Sequence, residues 1–529
     1  MRNAPSLIVL LGAALLPPCV QAANVLTQHN DLSRSGANTL EAILTPANVN
    51  SANFGKLFTD NVDGQVYAQP LLVENVSISG GTHNVVFVCT ENNSIYAFDA
   101  DTGGITYWHI NLGTPYSPTC TDLIPVVGIT GTPVINLSSG TLYDDTKLAT
   151  GPTEKLHALD ITTGAEKFGG PVTIAAVNFS ASIEHQRPGL LLLNGVVYLG
   201  FGSHCDGGSY HGFVLGYNAT NLSQLYSFNV TSTGSQGAVW CGGMAPAADS
   251  SGNIYISTAN GTFDGSTNFG ESMVKLNSHL VVQDYATPTN WSTLNSEDRD
   301  FGSGGVVLLP PHYAVGMGKD GNIYLANTAS MGHLGNFTQV FAAQSEGDTV
   351  GPSPVYWQGP GLQYIFALHS NSKTKSFAFT GTSVNTTALG TAAFQHSDRC
   401  GGLSLSANGT TNGVLWEIGS DSNLRAYDAA NALKLLWTGS VGTYVKMTCP
   451  TIANGKVYVG TSTNLGVWGL TNFIYLPATF PNPVLSWAAG TLLEATNLSG
   501  PWATNPAVSP YTVQPSNTQK FYKLFLGAN

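Results

Sequence analysis

The chain has 529 residues, of which 9% are charged, and a formal net charge of −12 at pH 7. This acidic balance argues against the classes of protein that bind nucleic acid or an anionic membrane surface through basic patches. The 60 Gly and 27 Pro residues favour many short strands joined by tight turns, with little helix. Because charges are so sparse, a local cluster of charged side chains indicates more than solubility.

Residues 1–22 have the pattern of a secretory signal peptide. Arg2 supplies the charged start, an apolar run covers Leu7–Leu16, and Val20–Ala22 forms a small-residue cleavage site. An uncleaved anchor is the alternative, but the apolar run is too short to span a bilayer. We therefore expect a soluble, secreted, extracellular protein without a membrane segment. Thirteen Asn-X-Ser/Thr sequons further favour a glycoprotein.

A four-strand unit recurs about eight times between residues 54 and 470. Its clearest copy places strand-like runs at 69–72, 84–88 and 94–99, an Asp-Thr-Gly-Gly turn at 101–104, and a fourth run at 105–108. This is the sequence pattern of a propeller blade. We predict an all-β fold, with an eight-bladed β-propeller over residues 23–478. Seven blades is the alternative, because the sixth copy is degenerate.

The last copy lacks a fourth strand. A spare segment, Phe54 to Phe58, precedes the first copy, and pairing it with the last unit closes the ring and removes exposed strand edges. Residues 479–529 break the period and are predicted to form a small C-terminal β appendage without a catalytic pattern.

Six cysteines lie beyond the predicted signal peptide, and none is in a Cys-X-X-Cys arrangement, so zinc and covalent haem are poorly supported. An even number in an exported chain predicts complete disulfide pairing. Cys400 and Cys449 lie near the starts of first strands in adjacent units, and Cys205 and Cys241 lie in adjacent units near the same mouth. We expect these two pairs to be bonded.

The charged and aromatic residues concentrate in the loops that open on one face of such a ring. These are the loops before each first strand and those between each second and third strand. They carry Tyr67, Gln69, His185, Gln186, Arg187, Trp240, Asp298, Arg299, Asp300, His396, Asp398, Arg399 and Lys446, and then His204, Asp206, His211, Asn260, Asp264, Lys319, Asp320 and His369. We predict a polar binding funnel at this mouth; ordinary solvation of loops is the alternative.

Several segments resemble quinoprotein alcohol dehydrogenases, which depend on pyrroloquinoline quinone (PQQ). Residues 197–214 resemble the family's blade that carries a calcium-binding acid, and residues 237–244 (Gly-Ala-Val-Trp-Cys-Gly-Gly-Met) resemble the stretch whose Trp lies under the quinone. Residues 254–262 are similar to its Gly-Asn-Gly stretch. Residues 298–301 and 318–324 fall where the family has its catalytic Asp and a basic residue beside the quinone.

The resemblance implies a role for each residue type. It assigns Asp300, Lys319 and Asp298 to catalysis, Trp240, Arg187, His185 and Arg399 to the cofactor, and Asp206, Asn260 and Asp300 to a Ca²⁺ ion. Carboxylate and amide oxygens suit Ca²⁺, and a Trp offers a flat surface to an aromatic cofactor. Asp300 would take the substrate hydroxyl proton as a general base, and Lys319 would stabilise charge on the quinone oxygen.

Each of these residues also has a purely structural interpretation. Trp240 fits a core aromatic, and Asp206 and Lys319 fit turn positions. Asn260 lies in a sequon and in an Asn-Gly turn pair. The acids at 298 and 300 fit an ion-pair network between blades.

Three functions remain open at this stage. The first is a PQQ- and Ca²⁺-dependent dehydrogenase that oxidises an alcohol or a sugar hydroxyl and passes electrons to an external acceptor, because no haem motif is present. The second is a cofactor-free propeller that binds a glycan or a protein. The third is a hydrolase or lyase that uses the acidic pair with His185 or His396.

Overall fold

The computed structural model describes residues 9–10, 24–344, 354–397, 399–471, 484–496, 501–513 and 520–525, and strands dominate it. Among these residues, eight antiparallel sheets, each built on four strands, follow one another along the chain from residue 71 to residue 470. Helix is confined in the described chain to one short α-helix and two 3₁₀ turns, Trp291–Ser296, Cys241–Gly243 and Phe301–Ser303. The predicted all-β class is confirmed.

The first four sheets take their strands in chain order. Sheet 1 consists of Leu71–Ile78, Gly81–Cys89, Ser94–Asp99 and Thr106–Asn111. Sheet 2 consists of Val134–Asn136, Thr141–Leu148, Thr153–Asp160 and Val172–Thr173. Sheet 3 consists of a split first strand, Glu184–Gln186 and Leu191–Leu193, followed by Val196–Ser203, Phe213–Asn218 and Gln224–Asn229. Sheet 4 consists of Ala247–Ala248, Ile254–Ser257, Met273–Leu276 and Val282–Thr287, with His333–Leu334 added in parallel.

The remaining four sheets repeat this arrangement. Sheet 5 consists of Val307–Leu309, Tyr313–Met317, Asn322–Asn327 and Gln339–Ala342. Sheet 6 consists of Val355–Gln358, Gln363–Ala367, Lys375–Phe379 and Gly390–Thr391. Sheet 7 consists of Leu403–Asn408, Thr411–Ile418, Asn423–Asp428 and Lys434–Ser440, with Ala37–Asn38 added in parallel. Sheet 8 consists of Thr451–Ala453, Lys456–Gly460, Asn464–Leu470 and Phe54–Asn61.

Sheet 8 is completed by an early segment of the chain. Phe54–Asn61 pairs antiparallel with Asn464–Leu470, with Phe54 opposite Leu470 and Asn61 opposite Asn464. The predicted closing strand is thus confirmed. The first strand of sheet 8 also contacts the first strand of sheet 1. There Thr451 donates its hydroxyl to the carbonyl of Pro70 at 2.5 Å and accepts from the Gln69 amide at 3.1 Å, so the last sheet packs against the first.

The sequence of a unit explains its local structure. In sheet 1 the third strand, Ser94–Asp99, is buried along its whole length, whereas the outer strand, Thr106–Asn111, is partly exposed. After the third strand, an Asp side chain caps the turn. Asp99 Oδ1 accepts from the amides of Asp101 and Thr102 at 2.9 and 2.7 Å. Aspartate favours such turns because its side chain mimics a backbone carbonyl.

An N-terminal segment, residues 25–36, covers the inner edges of the first strands. Val25 exchanges two backbone hydrogen bonds of 2.9 Å with Leu72. Further along, the amides of Ala248, Leu308, Tyr356 and Leu405 donate at 2.7–2.9 Å to the carbonyls of Leu32, Ser33, Ser35 and Gly36. These contacts satisfy edge groups that otherwise stay unpaired. The sequence analysis did not assign this segment, which carries no repeat pattern.

Arg34 fixes the same segment from within the protein. Its side chain is fully buried and donates to the Pro246 carbonyl at 3.0 and 2.9 Å, to the Gln28 carbonyl at 2.8 Å and to the Thr27 hydroxyl at 2.7 Å. A buried cation is tolerated when its donors find such acceptors.

The C-terminal part contributes a small separate group of strands. Val484–Leu485 pairs with Tyr511–Thr512, and a second sheet has the order Val9–Leu10, Phe521–Phe525, Thr491–Ala495 and Ala503–Thr504. Leu485, Trp487, Leu492 and Tyr522 form its buried cluster. Most of the predicted signal peptide lies outside the described residues. No helix in the described part of the chain is both long and apolar enough to cross a bilayer.

Candidate functional site

One cavity of about 230 Å³ gathers most of the predicted site residues at the mouth where the first strands begin. It is lined by Asp122, Arg187, Cys205, Asp206, Trp240, Gly242, Asp300, Ser303, Lys319, Arg399, Lys446 and Met447. All of these residues come from loops of the two kinds that the sequence analysis singled out, and Asp122, in the loop before the first strand of sheet 2, is the charged lining residue that was not named there. The lining therefore divides into an acidic side around Asp300 and a cationic side around Arg187.

The acidic side centres on an ion pair between Asp300 and Lys319. Lys319 Nζ lies 2.6 Å from Asp300 Oδ2 and 3.4 Å from Asp298 Oδ2. Burial opposes the charge on Lys319, but the carboxylates of Asp300 and Asp298 outweigh it and raise the pKa of this ammonium. Lys319 is therefore charged at neutral pH.

Asp300 is held in place from several directions. Its Oδ1 accepts a hydrogen bond from the backbone N–H of Asn260 at 3.0 Å. The backbone N–H of Phe301, the residue after Asp300, donates to Glu271 Oε2 at 2.6 Å. The loop packs so closely that a Cβ on Gly302 would lie 2.3 Å from the Thr258 backbone, which only glycine avoids. Burial and then the charge of Asp300 raise the pKa of Glu271 well above its ordinary value. The carboxylate of Asp300 is thus oriented by backbone contacts that the sequence alone did not reveal.

Asn260 and Asp206 supply oxygens suited to a cation. Among the described residues nothing hydrogen-bonds to the Oδ1 of buried Asn260, while its Nδ2 donates to Asp298 Oδ1 at 2.7 Å. Asp206 accepts from the Tyr210 hydroxyl at 2.6 Å. Its pKa is raised by burial and, further, by the charges of Asp300 and Asp298. An orphaned amide oxygen among mutually repelling carboxylates fits a hard cation such as Ca²⁺. Burial of Asn260 leaves no room for a glycan at this sequon.

The cationic side places Arg187 over an indole ring. The Arg187 guanidinium carbon lies 5.7 Å from the Trp240 ring centre, within cation–π range. Trp240 packs on Gly202, where an added Cβ would lie 3.2 Å from the indole. Arg187 directly follows the first half of the split first strand of sheet 3. The next residue, Pro188, has no backbone N–H to donate to a neighbouring strand.

Three cations converge on one carboxylate, and we call Arg187, Arg399 and Lys446 the cation cluster. Lys446 Nζ contacts Asp122 Oδ1, Arg187 Nη1 lies 3.5 Å from Asp122 Oδ2, and Arg399 Nη1 lies 4.0 Å from Asp122 Oδ1. Burial of Asp122 opposes its charge, but Arg187 and Lys446 outweigh that effect and lower its pKa to about 2. Asp122 is therefore ionised at neutral pH and pairs with the cations of this cluster.

Asp122 is the site residue that the sequence analysis missed. It lies in the connection between sheets 1 and 2, far from any matched segment, and meets Lys446 across 324 positions of sequence. Nothing in its local sequence distinguishes it from an ordinary loop acid.

The disulfide predictions were wrong both in the expected pairs and in the expectation that all six cysteines are bonded. Cys120 is bonded to Cys205, whereas Cys89, Cys241, Cys400 and Cys449 are free and buried. Cys241 instead lies 3.6 Å from the Ser257 carbonyl in the core. Cys205 and Cys241 lie in loops of neighbouring units but are not bonded to each other. The long connection that carries Cys120 instead folds back onto sheet 3 and brings Cys120 to Cys205.

Some predicted residues lie off the cavity surface. His185 is buried on the first strand of sheet 3, where its ring lies 5.5 Å from that of His204, so it does not line the cavity. Burial is the largest cause that lowers the pKa of His185 well below its ordinary value. His396 is likewise buried, with Nε2 3.3 Å from Glu417 Oε1. Asp298 contacts Lys319 from a largely exposed position, and Asp398 lies outside the described residues.

The charge of Lys446 leads to a pH prediction. Burial and the neighbouring charge of Arg187 lower the pKa of Lys446 to about 8, so the ammonium is charged below pH 8 and neutral above it. We expect the affinity of the cavity for an anion, such as benzene-1,3,5-tricarboxylate, to fall about tenfold as pH rises from 7 to 9.5. Calorimetric titration measures this change. Lys446→Gln should bind the anion weakly with little dependence on pH over the same range, and an equally steep fall in that variant would contradict the assignment.

Comparison with known proteins places the fold. No protein-family model matches this sequence, and no curated protein sequence matches it either. Among solved structures, a quinohemoprotein alcohol dehydrogenase from Pseudomonas putida superposes with a TM-score of 0.65 at 15% identity, covering 85% of this chain and 81% of that one. The fold is therefore that of the PQQ alcohol dehydrogenase propellers, and the predicted resemblance is confirmed at this level.

Two further solved structures have a similar fold. The quinohemoprotein alcohol dehydrogenase of Comamonas testosteroni gives a TM-score of 0.61 at 15% identity, covering 84% of this chain and 80% of that one. A europium-containing methanol dehydrogenase gives 0.60 at 13% identity, covering 85% of this chain and 98% of that one. At these identities the likeness establishes the architecture, and the chemistry has to be argued from the cavity.

Proposed function

We propose that this protein is a PQQ-dependent oxidoreductase that oxidises the hydroxyl group of a small alcohol, with the eight sheets forming an eight-bladed propeller around the site. The observation that carries the proposal is the composition of this cavity. A flat indole lies beneath Arg187 of the cation cluster on one side, and an ion-paired carboxylate lies on the other. The fold shared with PQQ-dependent alcohol dehydrogenases supports the same conclusion.

The residues of the cavity fit a planar polycarboxylate and a metal ion. Trp240 offers a face for the ring, and the cation cluster offers guanidinium and ammonium donors for carboxylates. Asp206, Asn260 and Asp300 offer oxygens for Ca²⁺. PQQ bound here would supply the hydride acceptor for the alcohol oxidation, and a bound metal ion would supply Lewis-acid polarisation.

The protein itself moves the proton. Asp300 accepts the proton of the substrate hydroxyl at its carboxylate, while Asn260 keeps that carboxylate oriented by its 3.0 Å backbone hydrogen bond. Lys319, 2.6 Å away, pairs with Asp300 and offers positive charge where negative charge develops. Asp298 accepts from the Asn260 side chain and shares Lys319, so it positions both groups.

The remaining assignments complete the proposal. Residues 1–22 direct export, so the enzyme works outside the cell as a glycoprotein. Electrons leave the reduced cofactor to an external acceptor, because the sequence has no Cys-X-X-Cys-His motif for covalent haem. A sugar hydroxyl is the second substrate class to test beside simple alcohols.

Reconstitution of the full chain tests the function. Purified protein is incubated with PQQ and either Ca²⁺ or Eu³⁺, because one structural neighbour contains europium. Dye reduction is then followed with primary alcohols, secondary alcohols and glucose. We expect dye reduction that requires PQQ, a metal ion and an alcohol together. Absence of both PQQ binding and dye reduction with every substrate would leave the cofactor-free binding protein as the better account.

A further inference from the structure

Four side chains with metal-binding groups lie together beside the cavity, apart from the oxygens assigned to Ca²⁺. The Sγ atoms of Cys120 and Cys205 and a ring nitrogen of His204 all lie within 4.8 Å of one another. The ring of His185 lies 5.5 Å from that of His204, measured between ring centres. Thiolates and imidazoles are the ligands that Zn²⁺ takes in its tetrahedral Cys₂His₂ sites.

The fold of sheet 3 brings the two histidines together. His185 pairs with Gly202 of the neighbouring strand, and His204 directly follows the strand that carries Gly202. Cys120 reaches them from the connection between sheets 1 and 2 through its bond to Cys205. Because these residues come from separate segments of the chain, no Cys-X-X-Cys spacing marks them in the sequence.

Both histidines have buried ring nitrogens without a protein partner. Among the described residues nothing hydrogen-bonds to either nitrogen of His185, which is 2% exposed, or to Nε2 of His204. A neutral imidazole has one donor and one acceptor, and burying them unpaired costs free energy. Two imidazoles on one Zn²⁺ have ring centres about 5–6 Å apart, since each nitrogen lies about 2 Å from the metal. The rings of His185 and His204 already have that spacing.

We propose that Cys120, Cys205, His204 and His185 form a Zn²⁺ site once the disulfide is reduced. A metal ion then replaces the covalent bond that ties the connection between sheets 1 and 2 to sheet 3. This inference is independent of the proposed function, because it uses neither PQQ nor the oxygens assigned to Ca²⁺.

The redox step and the metal step balance. An external dithiol gives two electrons and two protons to the disulfide and is itself oxidised to a disulfide. The two cysteine thiols then release two protons when they bind Zn²⁺, because the ligand is the thiolate. Two thiolates also balance the charge of the ion, so the occupied site is neutral. Cys205 lines the cavity, which gives the ion a path from solvent.

The test follows Co²⁺ binding by the full chain after reduction with dithiothreitol and anaerobic removal of the reductant. Cobalt reports on the ligands, because thiolates give charge-transfer bands and a tetrahedral site gives intense visible bands. We expect reduced wild type to bind Co²⁺ with both signatures and Zn²⁺ to displace it stoichiometrically. The oxidised protein, in which the disulfide is formed, should show neither signature.

His204→Gln is the decisive variant, because it removes one ligand and keeps both cysteines and their disulfide. It should bind Co²⁺ about a hundredfold more weakly, since even an outer-shell partner of a metal ligand is worth about ten- to hundredfold in affinity. Cys120→Ser should lose the charge-transfer band although the four cysteines outside the cluster remain.

His211→Gln is the matched control for the loss of a histidine. Its Nδ1 lies 3.1 Å from the Thr231 hydroxyl, and it takes no part in the cluster. Its affinity for Co²⁺ should change by less than about twofold.

Three outcomes would overturn the inference. They are reduced wild type without thiolate–cobalt bands, bands that persist unchanged in Cys120→Ser, and equal affinities of wild type and His204→Gln. Circular dichroism checks that the reduced proteins are folded. If reduction unfolds the chain, Zn²⁺ should restore the fold of wild type but not of His204→Gln, because an ion that binds the folded state stabilises it. Failure of Zn²⁺ to do so would equally contradict the site.

Discussion

Asp300→Asn is expected to lower the turnover of the reconstituted enzyme by about 10²–10⁴, while PQQ affinity changes little, because a general base contributes roughly that factor. Asparagine keeps the size of the side chain and its oxygen can still accept the 3.0 Å hydrogen bond from Asn260. It cannot take the hydroxyl proton. The measurement is a dye-linked assay at saturating PQQ and metal ion, with PQQ binding followed separately by absorbance.

Asp298→Asn is the matched control for this variant. Asp298 is two residues away, shares Lys319 at 3.4 Å and is largely exposed. Its amide should preserve the contact with Asn260 after a flip, so we expect a loss of turnover below about tenfold, as for an exposed charge pair. Equal losses in the two variants would mean that the acidic side acts only as a structural network.

Trp240→Ala is expected to weaken PQQ binding by about a hundredfold, since it removes the apolar face against which the ring packs. The 5.7 Å contact between Arg187 and the indole disappears as well, so a carboxylate-binding group loses its support. Quenching of protein fluorescence during a PQQ titration reports the affinity. Trp240→Phe should restore most of it.

Trp437→Ala provides the control for the loss of a tryptophan. Trp437 lies on the outer strand of sheet 7 and packs edge-on against Phe54, away from the cavity lining. It should leave PQQ affinity unchanged even if the protein becomes less stable. Unchanged affinity in Trp240→Ala would place the quinone elsewhere.

The sequence predicted those features that repeat. Units of similar length with turn signals between them identified the sheets, and the missing strand after residue 470 led to Phe54–Asn61. The same periodicity located the loops of one mouth, so Arg187, Trp240, Asp300, Lys319 and Arg399 were found without a structure. Because the unit repeats, residues at the same position in different units occupy equivalent places in the fold.

Features that do not repeat were missed for a physical reason. Asp122 and the 25–36 segment reach their partners through connections whose path depends on packing far away in sequence. The disulfide failed in the same way, because Cys120 lies on the irregular connection that also carries Asp122. His185 was predicted at the mouth from its loop-like neighbourhood, but it pairs with Gly202 inside the sheet and is turned into the core.

The most direct test of the account is a crystal structure of the full chain with PQQ and Ca²⁺. It should show the quinone ring against Trp240, its carboxylates near Arg187, Arg399 and Lys446, and its reactive carbonyl towards Asp300 and Lys319. The ion should contact Asn260 Oδ1, the orphaned oxygen. A quinone bound outside this cavity, or none bound at saturating concentration, would contradict the account.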